Sequence, residues 1–341
     1  MTHKIKTIGL AAAVVLMLSV ATVMSSCSKV DIENDNGAST PDETSSFWEN
    51  DYRRHALNDK VKTVIEQDRG DIGYNRYRKM TFDQKGNLLE DIKYKLKGSQ
   101  PGSNDELSDG LVFKYNAQNR ITKCEYYISG ILVELAEFTY GGANSHNVYI
   151  PSNIFVEDLR LQKGITGIVY THFWGEGNSE KYFNLQCTSA KGNQLIFRDN
   201  DKGTTYTFTT QGAYPAKLDV ANDKGDKMNM ADIVFGSDGI PSMLHSFING
   251  NDNILTVDYN VKEGFLVMNS EVSKRISTDE IRYSCQYTYN DHGYVATKKY
   301  NSSYTYEYSY TYEYDSKGNW TKQTSTECSE CITNRTYEYW N

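Results

Sequence analysis

The 341-residue chain sets 36 Lys and Arg against 44 Asp and Glu, for a formal net charge of -8. No basic run interrupts that acidic balance, so the chain lacks an electrostatic footprint for phosphate backbones and is expected to bind no nucleic acid. Its length can bury a large core in one big domain or two.

The chain opens MTHKIKTIGLAAAVVLMLSVATVMSSC, with Lys4 and Lys6 ahead of an apolar run from Ile8 to Met24 and then small residues. That order reads as a secretory signal, residues 1–26, outside the fold. The run is nearly long enough to span a bilayer, so a retained anchor helix is the rival reading. Against it, Met24-Ser25-Ser26-Cys27 resembles a bacterial lipoprotein box. The resemblance implies cleavage before Cys27, lipidation of Cys27, and attachment to a membrane through acyl chains.

Residues 27–46 carry Asp31, Glu33, Asp35, Asp42 and Glu43 and nothing large after Ile32. Such a segment cannot offset its ordering entropy by burial and reads as an acidic flexible tether. Cys27 followed by Ser, Lys and scattered acids also resembles the export signal of Bacteroidetes lipoproteins, which implies the outer face of the outer membrane. Losing the signal removes two lysines and takes the charge from -8 to about -10. Five cysteines remain besides Cys27, namely Cys124, Cys187, Cys285, Cys328 and Cys331, an odd set that does not read as a disulfide framework.

Residues 47–341 read as a single all-β domain. Only five prolines and many short Thr/Tyr/Phe/Val/Ile runs bounded by Gly, Asn and Asp leave little room for helices. One turn recurs: Phe82-Asp83-Gln84-Lys85-Gly86, Tyr115-Asn116-Ala117-Gln118-Asn119, Phe235-Gly236-Ser237-Asp238-Gly239, Tyr289-Asn290-Asp291-His292-Gly293 and Tyr314-Asp315-Ser316-Lys317-Gly318. Looser copies are Asn222-Asp223-Lys224-Gly225 and Asp199-Asn200-Asp201-Lys202-Gly203. Asp or Asn at its start can accept a backbone N–H two residues on, and Gly supplies a positive φ before the next strand. Asn119 fits where Gly is missing, because Asn tolerates that conformation.

Tyr/Phe-Asp/Asn-x-x-Gly followed by a strand resembles the YD (Rhs) repeat, whose family builds a long spiralling β-sheet. With the lipoprotein signal and tether, the chain is also similar to uncharacterised Bacteroidetes lipoproteins of porin-like β fold, a family with no activity to transfer. The expected fold is a large curved antiparallel meander of about 20 strands, half-barrel or barrel-like, with two β-sandwich domains as the alternative. The long insertions are Lys97 to Gly110 and Gly141 to Gly164. A transmembrane barrel is not expected, because Tyr, Thr, Lys and Glu dominate strands that would need a lipid-facing apolar band.

Chemical motifs are weak. Cys328-Ser329-Glu330-Cys331 lies between strands, not at the helix start that activates a CxxC thiolate, and reads as a local bridge or two free thiols. Asp199 to Gly203 puts its Gly one position early for a calcium loop, and Thr210 stands where such a loop needs Glu. His55, His146, His172, His245 and His292 stand in no recognisable catalytic setting. No metal, cofactor or enzymatic activity is expected; a hydrolase is the least favoured reading.

Aromatics are the excess, with 27 Tyr, 12 Phe and 4 Trp. From Tyr304 to Tyr314 every even position is Tyr, so in a strand the six share one face, opposite Thr305, Glu307, Ser309, Thr311 and Glu313. Tyr283, Tyr287, Tyr337 and Tyr339 repeat that period. Tyr304, Tyr306, Tyr308, Tyr310 and Tyr312 with those four form the candidate binding face for a glycan or an envelope protein. The alternative is that these rows only stabilise a sheet, as in a structural scaffold of the envelope.

Overall fold

The computed structural model describes residues 51–52, 55–68, 76–98, 100–141, 147–149, 161–174, 178–211, 214–235, 241–248, 253–327 and 331–341. The signal, Cys27, the tether, His146, Cys328 and the turn ending at Gly239 lie outside them.

The strands are β1 (Val61–Asp68), β2 (Arg76–Phe82), β3 (Leu88–Lys95), β4 (Glu106–Tyr115), β5 (Ile121–Ile128), β6 (Ile131–Tyr140), β7 (Asn147–Tyr149), β8 (Leu161–Lys163), β9 (Ile165–Phe173), β10 (Ser179–Lys191) and β11 (Gln194–Asp199). They continue as β12 (Thr205–Gln211), β13 (Tyr214–Ala221), β14 (Lys227–Phe235), β15 (Pro241–Ile248), β16 (Asn253–Lys262), β17 (Phe265–Arg275), β18 (Ile281–Tyr289), β19 (Val295–Asn301), β20 (Thr305–Tyr314), β21 (Trp320–Ser325) and β22 (Cys331–Tyr339).

All pairings are antiparallel. From β1 to β6 each strand pairs with the next, and β6 then pairs with β9. From β9 to β22 the succession is unbroken. Finally β22 pairs with β1 over Val61 to Asp68, so the circuit of twenty strands returns to its start. This is the expected meander, and one continuous sheet replaces the alternative of two sandwiches.

The insertions are shorter than the sequence implied. Asp105 accepts from the N–H groups of Lys97 (2.9 Å) and Gly102 (2.7 Å), which tightens that loop and lets β4 begin at Glu106. Within Gly141 to Gly164, β7 and β8 pair with each other beside β13.

The recurring turn has one geometry. In the turn after Phe82, Asp83 Oδ1 accepts from the N–H of Lys85 (2.8 Å) and Asn87 (3.0 Å). Asn116, Asn222, Asn290 and Asp315 repeat that pair of bonds within 2.9–3.0 Å. The closing residue takes positive φ in each: 86° at Gly86, 64° at Asn119, 82° at Gly225, 79° at Gly293 and 84° at Gly318. The copy at Asp199 is one residue longer, with Gly203 N–H reaching Asp199 O at 2.8 Å.

Because successive strands reverse direction, the turns closed by Gly86, Asn119, Gly293 and Gly318 gather at one end of the ring. The segment leading into β1 lies across that end. Asp51 N–H donates to Gly86 O (2.8 Å) and its carboxylate accepts from Leu88 N–H. Seven residues on, Asn58 and Asn319 exchange bonds at 2.7 and 2.8 Å, and Lys317 pairs with Asp59. Tyr52 and Leu57 between them are buried. This strap therefore stitches the turn after β2 to the turn after β20.

A single apolar cluster takes buried residues from across the circuit, including Val64, Met80, Phe113, Ala136, Ile168, Leu185, Phe197, Phe208, Leu218 and Val257. A round barrel of this many strands would hold a water-filled channel. Here Val64, Cys124, Ala136, Ile168, Leu185, Phe197 and Phe208 on the inner face are fully shielded from water, so side chains fill the interior along those strands. The outer face carries charged pairs, across strands in Lys79–Glu90 (2.7 Å) and Lys322–Glu313 (2.7 Å) and along β5 in Lys123–Glu125 (2.8 Å). Charge there is the opposite of the apolar band that a membrane-spanning barrel turns to lipid.

Candidate binding face

Register fixes which way the tyrosines point. In β20, Tyr306 lies opposite Tyr300 and Tyr308 opposite Lys298. Across β19, Tyr300 lies opposite Cys285 and Lys298 opposite Tyr287; Cys285 in turn faces Glu271, which lies opposite the core residue Val257. On the other side, Tyr337 pairs with Val64 of the core. The tyrosine face is thus the inner face of the ring.

Most of that face is structural. Tyr115, Tyr140, Tyr312 and Tyr337 each donate a hydroxyl to the first residue of the strand before their own, at Leu88 O (2.8 Å), Ile121 O (2.5 Å), Val295 O (2.8 Å) and Trp320 O (2.7 Å). Every acceptor begins a strand that has just left a recurring turn, so the hydroxyl ties the next hairpin to the turn. Tyr339 bonds Asp315 and accepts from Asn319 (2.9 Å), Tyr283 bonds Glu271 (2.5 Å), and Tyr310 bonds Glu327 (2.5 Å). Tyr287 is hydrogen-bonded to Cys285.

Towards the end opposite the strap the row opens. Tyr304 is 70% and Tyr306 47% exposed, whereas Tyr308, Tyr310, Tyr312 and Tyr314 are half-buried. Tyr306 and Tyr308 stack with ring centres 6.2 Å apart and planes 3° off parallel. The hydroxyls of Tyr304, Tyr306 and Tyr308 bond to no described residue. Among the described residues, Ile128, Ile131, Trp174, Ile276, Ile281, Tyr304 and Tyr306 are exposed large apolar side chains at this end, against Leu89, Val234 and Val261 at the other.

Behind the open tyrosines lie charged groups that sequence reading missed. Glu271 is 3% exposed; burial raises its pKa, with the Tyr283 hydroxyl and the Lys298 ammonium partly offsetting. Burial also pushes up the Cys285 thiol. Farther round, Arg335 reaches Glu66 at 2.7 Å and Arg78 takes Asp91 through two 2.7 Å bonds, with Arg78 also 3.6 Å from Glu66. Burial would raise both carboxyls, but the guanidiniums outweigh it and hold them below the usual range. Arg335 also lies 3.9 Å over the Trp320 ring. The signal for these residues was parity: Glu66 shares a face with Val64, and Arg78 with Met80.

Among the other sequence candidates, His292 sits in its turn and stacks on Tyr314 at 4.1 Å. Cys331 is disulfide-bonded to a cysteine outside the described residues, while Cys124, Cys187 and Cys285 take part in no disulfide. Asp201 and Lys202 N–H groups donate to Asp199 Oδ1, the bonding of a plain polar turn. No group of three or more His, Cys, Asp or Glu among the described residues is placed to hold a metal ion.

No protein-family model and no curated protein matches the chain. Solved structures that resemble it include a porin-like protein from Bacteroides uniformis, at TM-score 0.29 and 10% identity, covering 82% of this chain and 98% of that one. A porin-like protein from Bacteroides vulgatus gives 0.24 and 9%, covering 82% and 99%. The Photorhabdus luminescens Tc holotoxin pore, mutation TccC3-D651A, gives 0.31 and 9%, covering 76% of this chain and 19% of that one. The chain thus spans about a fifth of the length of the toxin chain it matches.

Proposed function

We propose that the chain is a non-catalytic binding protein of the outer membrane of a Bacteroidetes bacterium, held at the cell surface by lipid on Cys27, and that it takes a glycan on the open end of its tyrosine face. The carrying observation is the contrast within one row: Tyr312, Tyr337 and Tyr339 spend their hydroxyls inside the sheet, while Tyr304, Tyr306 and Tyr308 leave theirs uncommitted, two of them exposed. Stacked phenol rings with wet hydroxyls offer C–H contact and hydrogen bonds together, which suits a pyranose. The anchor and address are supported by Met24-Ser25-Ser26-Cys27 and the acidic tether after it. Absence of catalysis is supported by the inward carboxylates of Glu66 and Asp91, locked into guanidinium pairs, and by the Cys285 thiol, which burial disarms.

A glycan array probed with the full-length protein tests this. Binding should fall at least about tenfold in Tyr306→Ser/Tyr308→Ser, since aromatic anchors carry over 1 kcal/mol each. Unchanged binding in that variant, still folded, would move the site elsewhere. A protein partner recovered by crosslinking in cells, with no glycan bound, would favour the second reading, a structural scaffold of the envelope. That reading draws on the many tyrosine hydroxyls spent within the sheet.

A further inference from the structure

A second aromatic corner stands on the same end of the ring, far from the tyrosine row. Counting pairings, β9 is ten strands from β19 in either direction, so the two places lie on opposite sides of the circuit. At the end of β9, His172 and Trp174 meet Tyr182 of β10. The His172 and Tyr182 rings are parallel within 19°, with centres 5.2 Å apart. Trp174 stands across them, 62° from His172 at 5.0 Å and 74° from Tyr182 at 6.3 Å. Glu134, 4% exposed, forms the floor with Oε1 3.7 Å from His172 Nδ1. Two charged side chains border the corner in the open: Glu180, opposite His172 in the ladder, and Lys202, whose ammonium bonds Tyr182 O at 2.6 Å.

We propose that this corner is a separate subsite for one pyranose ring of a glycan. Trp174 is 53% exposed at the end of β9, with its indole set edgewise against the His172 and Tyr182 rings. An organic cation would be attracted by the rings but meets the Lys202 charge beside Tyr182. An apolar peptide would bury Glu180 and the remaining donors of Lys202 without satisfying them. A sugar satisfies all of them, with its C–H face on the indole and hydroxyls that donate to Glu180 and accept from Lys202. The class of ligand rests on the glycan reading above, but the residues do not overlap.

The test uses full-length protein titrated by calorimetry with maltohexaose, cellohexaose, xylohexaose and mannohexaose. At least one should bind, Trp174→Ala should weaken it about tenfold, and Trp174→Phe should restore most of the affinity. Because Trp174 is exposed, the thermal midpoint should not move in either variant. Binding that survives Trp174→Ala but is lost in Tyr306→Ser/Tyr308→Ser overturns the subsite and leaves the tyrosine-row reading intact. Loss in Trp174→Ala alone supports the subsite and removes that reading; no binding of any hexaose overturns both.

Discussion

At the residue scale, the recurring turn divides its work between a side-chain acceptor and a backbone conformation. The two costs of altering the conformation can be separated, because Gly225 and Gly293 share nearly the same φ but not the same surroundings. A Cβ on Gly225 would meet nothing within 4 Å, whereas on Gly293 it would meet Phe265 Cδ2 at 2.8 Å and Lys262 O at 3.1 Å. Gly225→Ala should therefore cost about 1–2 kcal/mol, the left-handed penalty alone. Gly293→Ala should cost a further 1–3 kcal/mol or so from overpacking. Urea midpoints of the two variants check the difference, and equal midpoints would mean that Phe265 yields freely. The turn was legible from sequence, down to Asn119 at the glycine position, because every bond that defines it lies within five residues. The charged inner residues were not, because an inward Glu or Arg is intelligible only once its cross-strand partner is known.

At the scale of paired strands, two sets of inward carboxylates respond to pH in opposite senses. On β1 and β3, Glu66 and Asp91 have folded pKa values below their unfolded ones. Their contribution is present above about pH 4 and is lost as pH falls through the folded values. On β17, Glu271 is raised, so its effect runs the other way: it favours the folded state only while protonated, and this is lost as pH rises through its folded value. Glu271→Gln should consequently gain stability relative to the parent as pH rises from about 4 to 7, while both still lose stability towards acid. Denaturant midpoints across that range would show a widening gap; a constant gap would mean that Lys298 and Tyr283 fully compensate the burial. Within β20, period-two spacing announced one face for all six tyrosines, but not the gradient along it. That gradient arises because one end of the strand runs under the strap and the neighbouring turns, and the other does not.

For the whole molecule, the sequence indicated about twenty short-looped strands but carried no local mark of closure. What joins β22 to β1 is a ladder whose partners are remote, with Lys62 and Glu338 separated by 276 residues. Closure removes both edges, which in an open meander would invite pairing with other chains. It also sets the two ends of the ring apart. The strap and four recurring turns seal one, while the exposed rings of Trp174, Tyr304 and Tyr306 stand at the other.

Joining first strand to last also imposes an order in time. Hairpins can form as the chain emerges, each from neighbours in sequence, but the closing ladder waits until β22 has been made. Contacts of such separation are slow to find, and an intermediate that waits for them keeps two strand edges uncovered. A chain ending at Ser325 should hold the hairpins up to β21 yet leave one edge of β1 and one of β21 unpaired, and should aggregate at concentrations where the full chain stays dispersed. Light scattering during refolding would detect this, and a monomeric truncated chain would show that the circuit does not need its last member.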